Sequence, residues 1–175
     1  MRLVIGLDPG TGVTSPTGFV AFDPDARVLV HSERIWAPPG DISQRCRYVA
    51  ACVEESLLAI DPEMECSVYI ESFVMRGKAG ENLARLTGAL MAAVPEHLQP
   101  VRTVHNTTVK KVVGGHGRAD KIQVAQGVLD YFREAELTRA EVETLIDKAD
   151  WDILDAAAIG IAGHQLNSDD DEALA

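Results

Sequence analysis

Four carboxylates stand out by where they fall, and three of them, Asp8, Glu71 and Asp155, adjoin apolar runs. Asp8 follows Val4-Ile5-Gly6-Leu7, Glu71 follows Val68-Tyr69-Ile70, and Asp152 and Asp155 lie three residues apart, just before Ala156-Ala157-Ala158-Ile159. An uncompensated carboxylate in apolar surroundings is costly, and several in one pocket repel one another unless cations lie between them. Hard divalent ions such as Mg²⁺ take oxygen ligands, so the set reads as a Mg²⁺ site. Two such ions can activate a water, bind a scissile phosphate and stabilise the leaving oxygen of an in-line displacement. With 27 acidic residues in 175, an ordinary solvated turn or helix cap is the competing reading for any one of the four. No rival chemistry is visible: there is no G-x-S-x-G, no Walker loop, no paired CxxC and no H-E-x-x-H.

The elements that must position these acids can be read along the chain. Arg2 to Asp8 is an apolar, β-branched run that stops at Pro9-Gly10-Thr11-Gly12, which predicts a buried strand with an acid at its exit. Thr17–Phe22 and Ala26–Trp36, separated by Asp23-Pro24-Asp25, complete a three-stranded meander. From Asp41 the period becomes helical, with Ile42, Cys46, Val49, Val53, Leu57 and Ile60 at spacings of three and four, and Asp61-Pro62 ends that helix. Cys66–Ser72 reads as a fourth strand, Asn82–Val94 as a helix and Val101–His105 as a fifth strand. Asp120–Phe132 reads as a helix striped by Ile122, Ala125, Leu129 and Phe132, and about Asp150–His164 as a last helix. The expected architecture is an α/β domain over residues 1–165, a mixed five-stranded sheet flanked by helices, followed by an acidic, disordered tail at 166–175. Strands one and four can be neighbours in this order, which brings Asp8 beside Glu71, and the i, i+3 spacing puts Asp152 and Asp155 on one helix face.

Composition bounds the partners. The chain is 46% hydrophobic with 16 Lys+Arg against 27 Asp+Glu, a net charge of -11, which excludes a uniformly basic coat for nucleic acid. Residues 72–121 nevertheless carry eight basic and three acidic residues, so a local basic face can still dock on phosphates. Within it, the loop Gly114-Gly115-His116-Gly117-Arg118, flanked by Lys110, Lys111 and Lys121, reads as a flexible phosphate clamp or a solvated surface loop. The stretch Leu86–Val94 has no charge, and Ala84, Gly88 and Ala92 recur every fourth residue. That small-residue face suits close packing against a twofold copy, or else a central helix within one chain. Cys46, Cys52 and Cys66 have no metal-ligand spacing and read as reduced core residues. No run approaches the roughly 20 apolar residues of a membrane span, and MRLVIGLDPG is unlike a signal peptide, so a cytoplasmic protein is expected. The sequon Asn106-Thr107-Thr108 is then idle.

Taken in order, GLDPGTGVT (6–14), YIES (69–72), VKKVVGGHGRADKIQV (109–124) and DILDAAAIGIA (152–162) resemble the RuvC-type Holliday junction resolvases over nearly the whole chain. The resemblance implies an RNase H-like fold, a homodimer, and Mg²⁺- or Mn²⁺-dependent nicking of four-way DNA junctions that leaves 5'-phosphate and 3'-hydroxyl ends, with two ions per site. It places the catalytic acids at Asp8, Glu71, Asp152 and Asp155 and the family's two basic residues at Lys110, in the loop after the fifth strand, and Lys121, in the following helix. Ser15-Pro16 is an insertion relative to the family pattern, and Val74 stands where the family carries its junction-probing aromatic. Phe73, one residue earlier, shares a strand face with Glu71 and can serve as that wedge or simply pack in the core. Arg76 and Lys78 extend the expected DNA-binding set. These departures look like those of a phage-encoded member, whose substrates would extend to flaps and forks. Two other readings stay open: an RNA-processing nuclease of the same group, and a non-catalytic branched-DNA-binding module.

Overall fold

The first strand is buried along both faces, as a continuous apolar run requires at the centre of a sheet. The computed structural model describes residues 2–11, 15–72, 77–133 and 151–173, with the side chains of residues 77, 78, 133 and 168–173 outside that description. Five strands, β1 (Arg2–Asp8), β2 (Thr17–Asp23), β3 (Val28–Ile35), β4 (Glu65–Ser72) and β5 (Arg102–His105), form one sheet in the order β3-β2-β1-β4-β5. β1 runs antiparallel to β2 and parallel to β4, and β5 is parallel to β4. This is the expected mixed α/β sheet.

Side-chain alternation splits the core into two halves. Ile5, Leu7, Phe19, Val68 and Ile70 face one way and pack against α1 (Ile42–Leu58) and α2 (Gly77–Ala93). Val4, Val20, Phe22 and Tyr69 face the other way, toward α3 (Asn106–Val112), α4 (Lys121–Arg133) and α5 (Trp151–Ala173). α1 starts where its sequence says it should: the Asp41 side chain accepts from the Gln44 N–H at 2.9 Å, and the Gln44 side chain accepts from the Asp41 N–H at 3.2 Å, a reciprocal capping box. The β2–β3 turn is held by Asp23, whose Oδ1 accepts from the N–H groups of Asp25 and Ala26. All three cysteines are free thiols, with only Cys46 fully buried. No helix among the described residues is long and apolar enough to cross a membrane.

Four expectations change. The deeply buried helix is α5 over its first half, where Ile153, Leu154, Ala156–Ala158, Ile159, Ile161 and Ala162 are all buried. α2 instead buries Leu86 and Leu90 and leaves Gly88 and Ala92 exposed, with Ala84 half-buried. The central-helix reading of α2 is thereby replaced. α2 also begins at Gly77 rather than Asn82; two glycines in its first turn, poor helix formers, hid the start from the periodicity. α5 continues through Ala173 instead of giving way to a disordered tail after residue 165. No proline or glycine interrupts it beyond Gly163, and Asn167 ties it down by donating to the Tyr69 hydroxyl at 3.2 Å. Finally, the stripe of α4 is Val124, Ala125, Val128, Leu129 and Phe132, while Ile122 is 72% exposed. At 100° per residue Ile122 lies at the margin of that stripe, and Lys121 lies at its centre.

Candidate active site

The same alternation that sorts the core aims the acids. Val4, Gly6 and Asp8 share the face of β1 that looks toward α5, and Tyr69 and Glu71 share that face of β4. Because β1 and β4 are parallel, with Leu7 paired to Ile70, Asp8 and Glu71 emerge side by side at the C-terminal end of the sheet. The β1 exit is pinned there: Thr17, fully buried, accepts a hydrogen bond from the Gly10 N–H at 3.2 Å and donates one to the Gly10 carbonyl at 3.1 Å.

Glycine brings the other two acids over them. A Cβ on Gly6 would collide with the Ala156 carbonyl and approach the Gly160 nitrogen to 3.0 Å, and one on Gly18 would collide with the backbone of Asp152. At these two points the backbone of α5 therefore rests directly on β1 and β2, and Asp155, one residue before Ala156, is carried above Asp8. Asp8, Glu71 and Asp155 line one cavity of about 270 Å³, walled by Val109, Val124 and Ile159 and shared with Asn106, Lys110 and Lys121. Asp152 is not part of that lining but is close enough to act on Asp8 electrostatically.

The charges confirm how crowded the cavity is. Burial, and then the carboxylates of Asp155, Glu71 and Asp152, push the Asp8 carboxyl well above the usual range, with Lys121 pulling it back. Glu71 is also pushed up by burial, against a hydrogen bond from Asn106 that favours its ionised form. Asp152 is raised by burial and lowered by Lys121. Lys121 reaches Asp155 Oδ2 at 2.8 Å and lies 5.0 Å over the Trp151 ring. Asn106 donates from Nδ2 to Glu71 Oε1 at 2.7 Å. Among the described residues no three acidic, histidine or cysteine side chains already form one ligand cage; the acids feel one another's charge without sharing a coordination sphere. An all-oxygen donor set under mutual repulsion fits a hard divalent cation, which would supply the missing positive charge.

The basic residues fall differently from expectation. Lys110 and Lys111 are on α3, a short helix where a loop is expected from the sequence. Threonines and a sequon suggest an irregular turn, but Val109 and the half-buried Val112 on α3 pack against the α5 side of the core and hold the turn helical. Lys110 thereby faces the cavity while Lys111 is exposed. Arg118 sits exposed in the Gly114–Arg118 turn, where Gly115 has φ of 83° and so needs glycine. Phe73, Arg76 and the side chain of Lys78 lie outside the described residues. Asn106 was missed. The signal that could have found it is its position directly after a strand that ends beside Glu71.

Comparison with known proteins identifies the family. Residues 4–162 match the family described as "Crossover junction endodeoxyribonuclease RuvC". The chain is similar to the RuvC protein of Haemophilus influenzae (strain PittEE), at 30% identity over 92% of this chain and 78% of that one. It is equally similar, at 30% identity, to the RuvC protein of Pasteurella multocida (strain Pm70), over 95% of this chain and 81% of that one. Its fold matches a Thermus thermophilus RuvC structure with a TM-score of 0.68 at 24% identity, covering 92% of both chains. It also matches T. thermophilus RuvC in complex with Holliday junction substrate, with a TM-score of 0.67 at 23% identity, over 93% of this chain and 92% of that one. The RNase H-like sheet expected from the sequence is the fold these structures share. A matched family spanning nearly the whole chain, and a cluster of acids where two parallel strands end, lead to one statement: this chain belongs to the RuvC family of crossover junction endodeoxyribonucleases.

Proposed function

We propose that the protein resolves four-way DNA junctions by metal-dependent hydrolysis of phosphodiester bonds, with Asp8, Glu71, Asp152 and Asp155 as the catalytic acids and metal ligands. The observation that carries this reading is Asp8, half-buried at the exit of the central strand and lining one cavity with Glu71 and Asp155. Two divalent ions, Mg²⁺ or Mn²⁺, would polarise the scissile phosphate, lower the pKa of an attacking water and offset charge on the leaving oxygen. Within the protein, β1 and β4 fix the first two acids rigidly, α5 sets the other two against them, and Lys121 holds Asp155 in the absence of a cation. Water attack with loss of the 3'-oxygen leaves 5'-phosphate and 3'-hydroxyl ends.

The DNA would approach across the cavity mouth. Lys110, Lys111, Arg118 and Lys121 supply phosphate contacts there, with Arg76, Lys78 and Phe73 from the segment after β4 as further candidates and Phe73 as the wedge at the junction centre. The exposed face of α2 carries Ala84, Gly88 and Ala92. A Cβ on Gly88 would meet nothing within 4 Å, so the face is free to pack closely against a second copy, giving a homodimer whose two sites nick opposed strands. Flaps and forks present similar branch points and are further substrates.

The test is direct. Labelled four-way, flap, fork and linear duplex DNA and structured RNA are incubated with the protein with and without Mg²⁺, and the nicks are mapped. Symmetric nicks in the four-way junction, lost in Asp8→Asn and Glu71→Gln while junction binding persists, are expected. Cleavage of structured RNA in preference to DNA, or binding lost in step with cleavage, refutes the assignment. Ala92→Arg should turn a sedimenting dimer into a monomer and uncouple the paired nicks.

A further inference from the structure

The turn from β5 into α3 is clipped to the end of β4 by two side-chain hydrogen bonds. Ser72 Oγ and His105 Nδ1 are 2.6 Å apart, and Asn106 Nδ2 donates to Glu71 Oε1 at 2.7 Å. β4 and β5 pair as Glu71 with Val104 and Ser72 with His105, so the strand ladder delivers both partners to this point, and backbone pairing ends where the side-chain clip begins. Glu71 hangs off the last residues of its strand, and a carboxylate on a flexible two-carbon stem has several rotamers to choose from. One of its oxygens is occupied by a carboxamide that cannot itself ionise or ligate through that nitrogen. Glu71 itself lines the cavity that it shares with Asp8 and Asp155.

We propose that Asn106 is a positioning residue for Glu71, fixing the carboxylate so that one defined edge is presented to a divalent cation, and that the Ser72–His105 contact holds Asn106 in place to do so. The inference rests on Glu71 being a metal ligand. Partners that orient a ligating carboxylate typically change metal affinity or activity by about 10- to 100-fold when removed. A carboxamide is the fitting choice at this position: a carboxylate would add a further negative charge to an already repulsive cluster, and a lysine would compete with the cation.

Asn106→Ala, Asn106→Asp and Glu71→Gln are compared with wild type by three measurements. These are the Mg²⁺ concentration giving half of the cation-induced rise in melting temperature without DNA, the affinity for a four-way junction in EDTA, and single-turnover cleavage as a function of Mg²⁺. In Asn106→Ala the Mg²⁺ midpoint should rise about tenfold or more in both the melting and the cleavage titrations, with junction affinity in EDTA within about twofold of wild type. Asn106→Asp matches the original in size, so it keeps packing intact should the alanine variant fold poorly. It should show weaker cleavage at low Mg²⁺, with recovery as Mg²⁺ is raised. Unchanged Mg²⁺ midpoints in both variants, beside an inactive Glu71→Gln, overturn the role of Asn106 while leaving Glu71 as a ligand. Equal losses in junction affinity and cleavage overturn it too, making Asn106 a DNA contact. An active Glu71→Gln overturns both readings at once.

Discussion

Replacing Gly6 by alanine should disable the enzyme without touching an acid. The added methyl would fall 2.9 Å from the carbonyl carbon of Ala156, closer still to its oxygen, and 3.0 Å from the nitrogen of Gly160. Ordinary contacts of this kind lie at 3.4–4 Å, and all of the colliding atoms are backbone, so no rotamer change relieves them. α5 must retreat from β1 by about an ångström, carrying Asp155 away from Asp8; overpacking of this kind costs about 1–3 kcal/mol. For a chain of this length each kcal/mol lowers the melting temperature by about 2–4 °C, a fall of about 2–12 °C in all. Misplacement of catalytic groups by about 1 Å reduces turnover by about 100-fold. The assay pairs a thermal melt, to establish that the variant folds, with single-turnover cleavage of a labelled four-way junction at saturating Mg²⁺ and a gel shift in EDTA. A folded Gly6→Ala protein that cuts at the wild-type rate would show that the direct seating of α5 on the sheet does not set the geometry of the acids.

The other expectations concern charge. In metal-free buffer Asp8→Asn should melt above wild type at neutral pH. The raised Asp8 pKa means that its contribution to stability is complete below the ordinary value of 3.8 and is lost as pH climbs through the higher folded value. The gap between the two proteins should therefore close on acidification toward pH 4, and parallel melting curves across pH would contradict the buried-charge account. Mg²⁺ at millimolar concentration should raise the melting temperature of wild type more than that of Asp8→Asn, because the cation relieves repulsion only where the buried carboxylate is present; equal shifts would point to binding elsewhere. Lys121→Met should change stability by less than about 1 kcal/mol, since its pair with Asp155 is half open to solvent. It should also make the dependence of log affinity for junction DNA on log salt shallower by about one. An unaltered slope would remove Lys121 from the DNA face.

Much of this site is written locally, and what is not has a physical reason. Asp8 and Glu71 could be picked out because each ends a short apolar strand, and a period of two decides which face an end residue takes. Asp152 and Asp155 were legible as a helix pair, but their meeting with Asp8 depends on Gly6 and Gly18, whose value as seats for α5 exists only once the helix is laid across them. Lys121 was recognisable as basic, while its place at the centre of the buried stripe of α4 was obscured by anchoring that stripe on Ile122, a residue that is exposed. α3 escaped because a seven-residue helix shows fewer than two apolar repeats, and its stability comes from Val109 packing under it rather than from propensity. Asn106 escaped for a related reason: a polar residue at the start of a short helix looks like a cap, and only the β4–β5 register brings it to its partner, Glu71.

The seating of α5 on β1 also bears on the order in which the protein is made. Gly6 and Ala156 touch although nearly the whole chain separates them, a contact of high sequence separation that has to wait for the last described element. Domains fold as units, N-terminal first, during synthesis, and Val4 and Tyr69 share one core with the buried apolar residues of α5 between Ile153 and Ala162, so this domain completes its core only when residues 151–173 have been made. On the proposed assignment a nascent chain still short of that point holds half of its carboxylates and none of the helix that completes them. On that assignment a chain cut short before α5 would lack Asp152 and Asp155 and should show no cleavage, however well its strands pair.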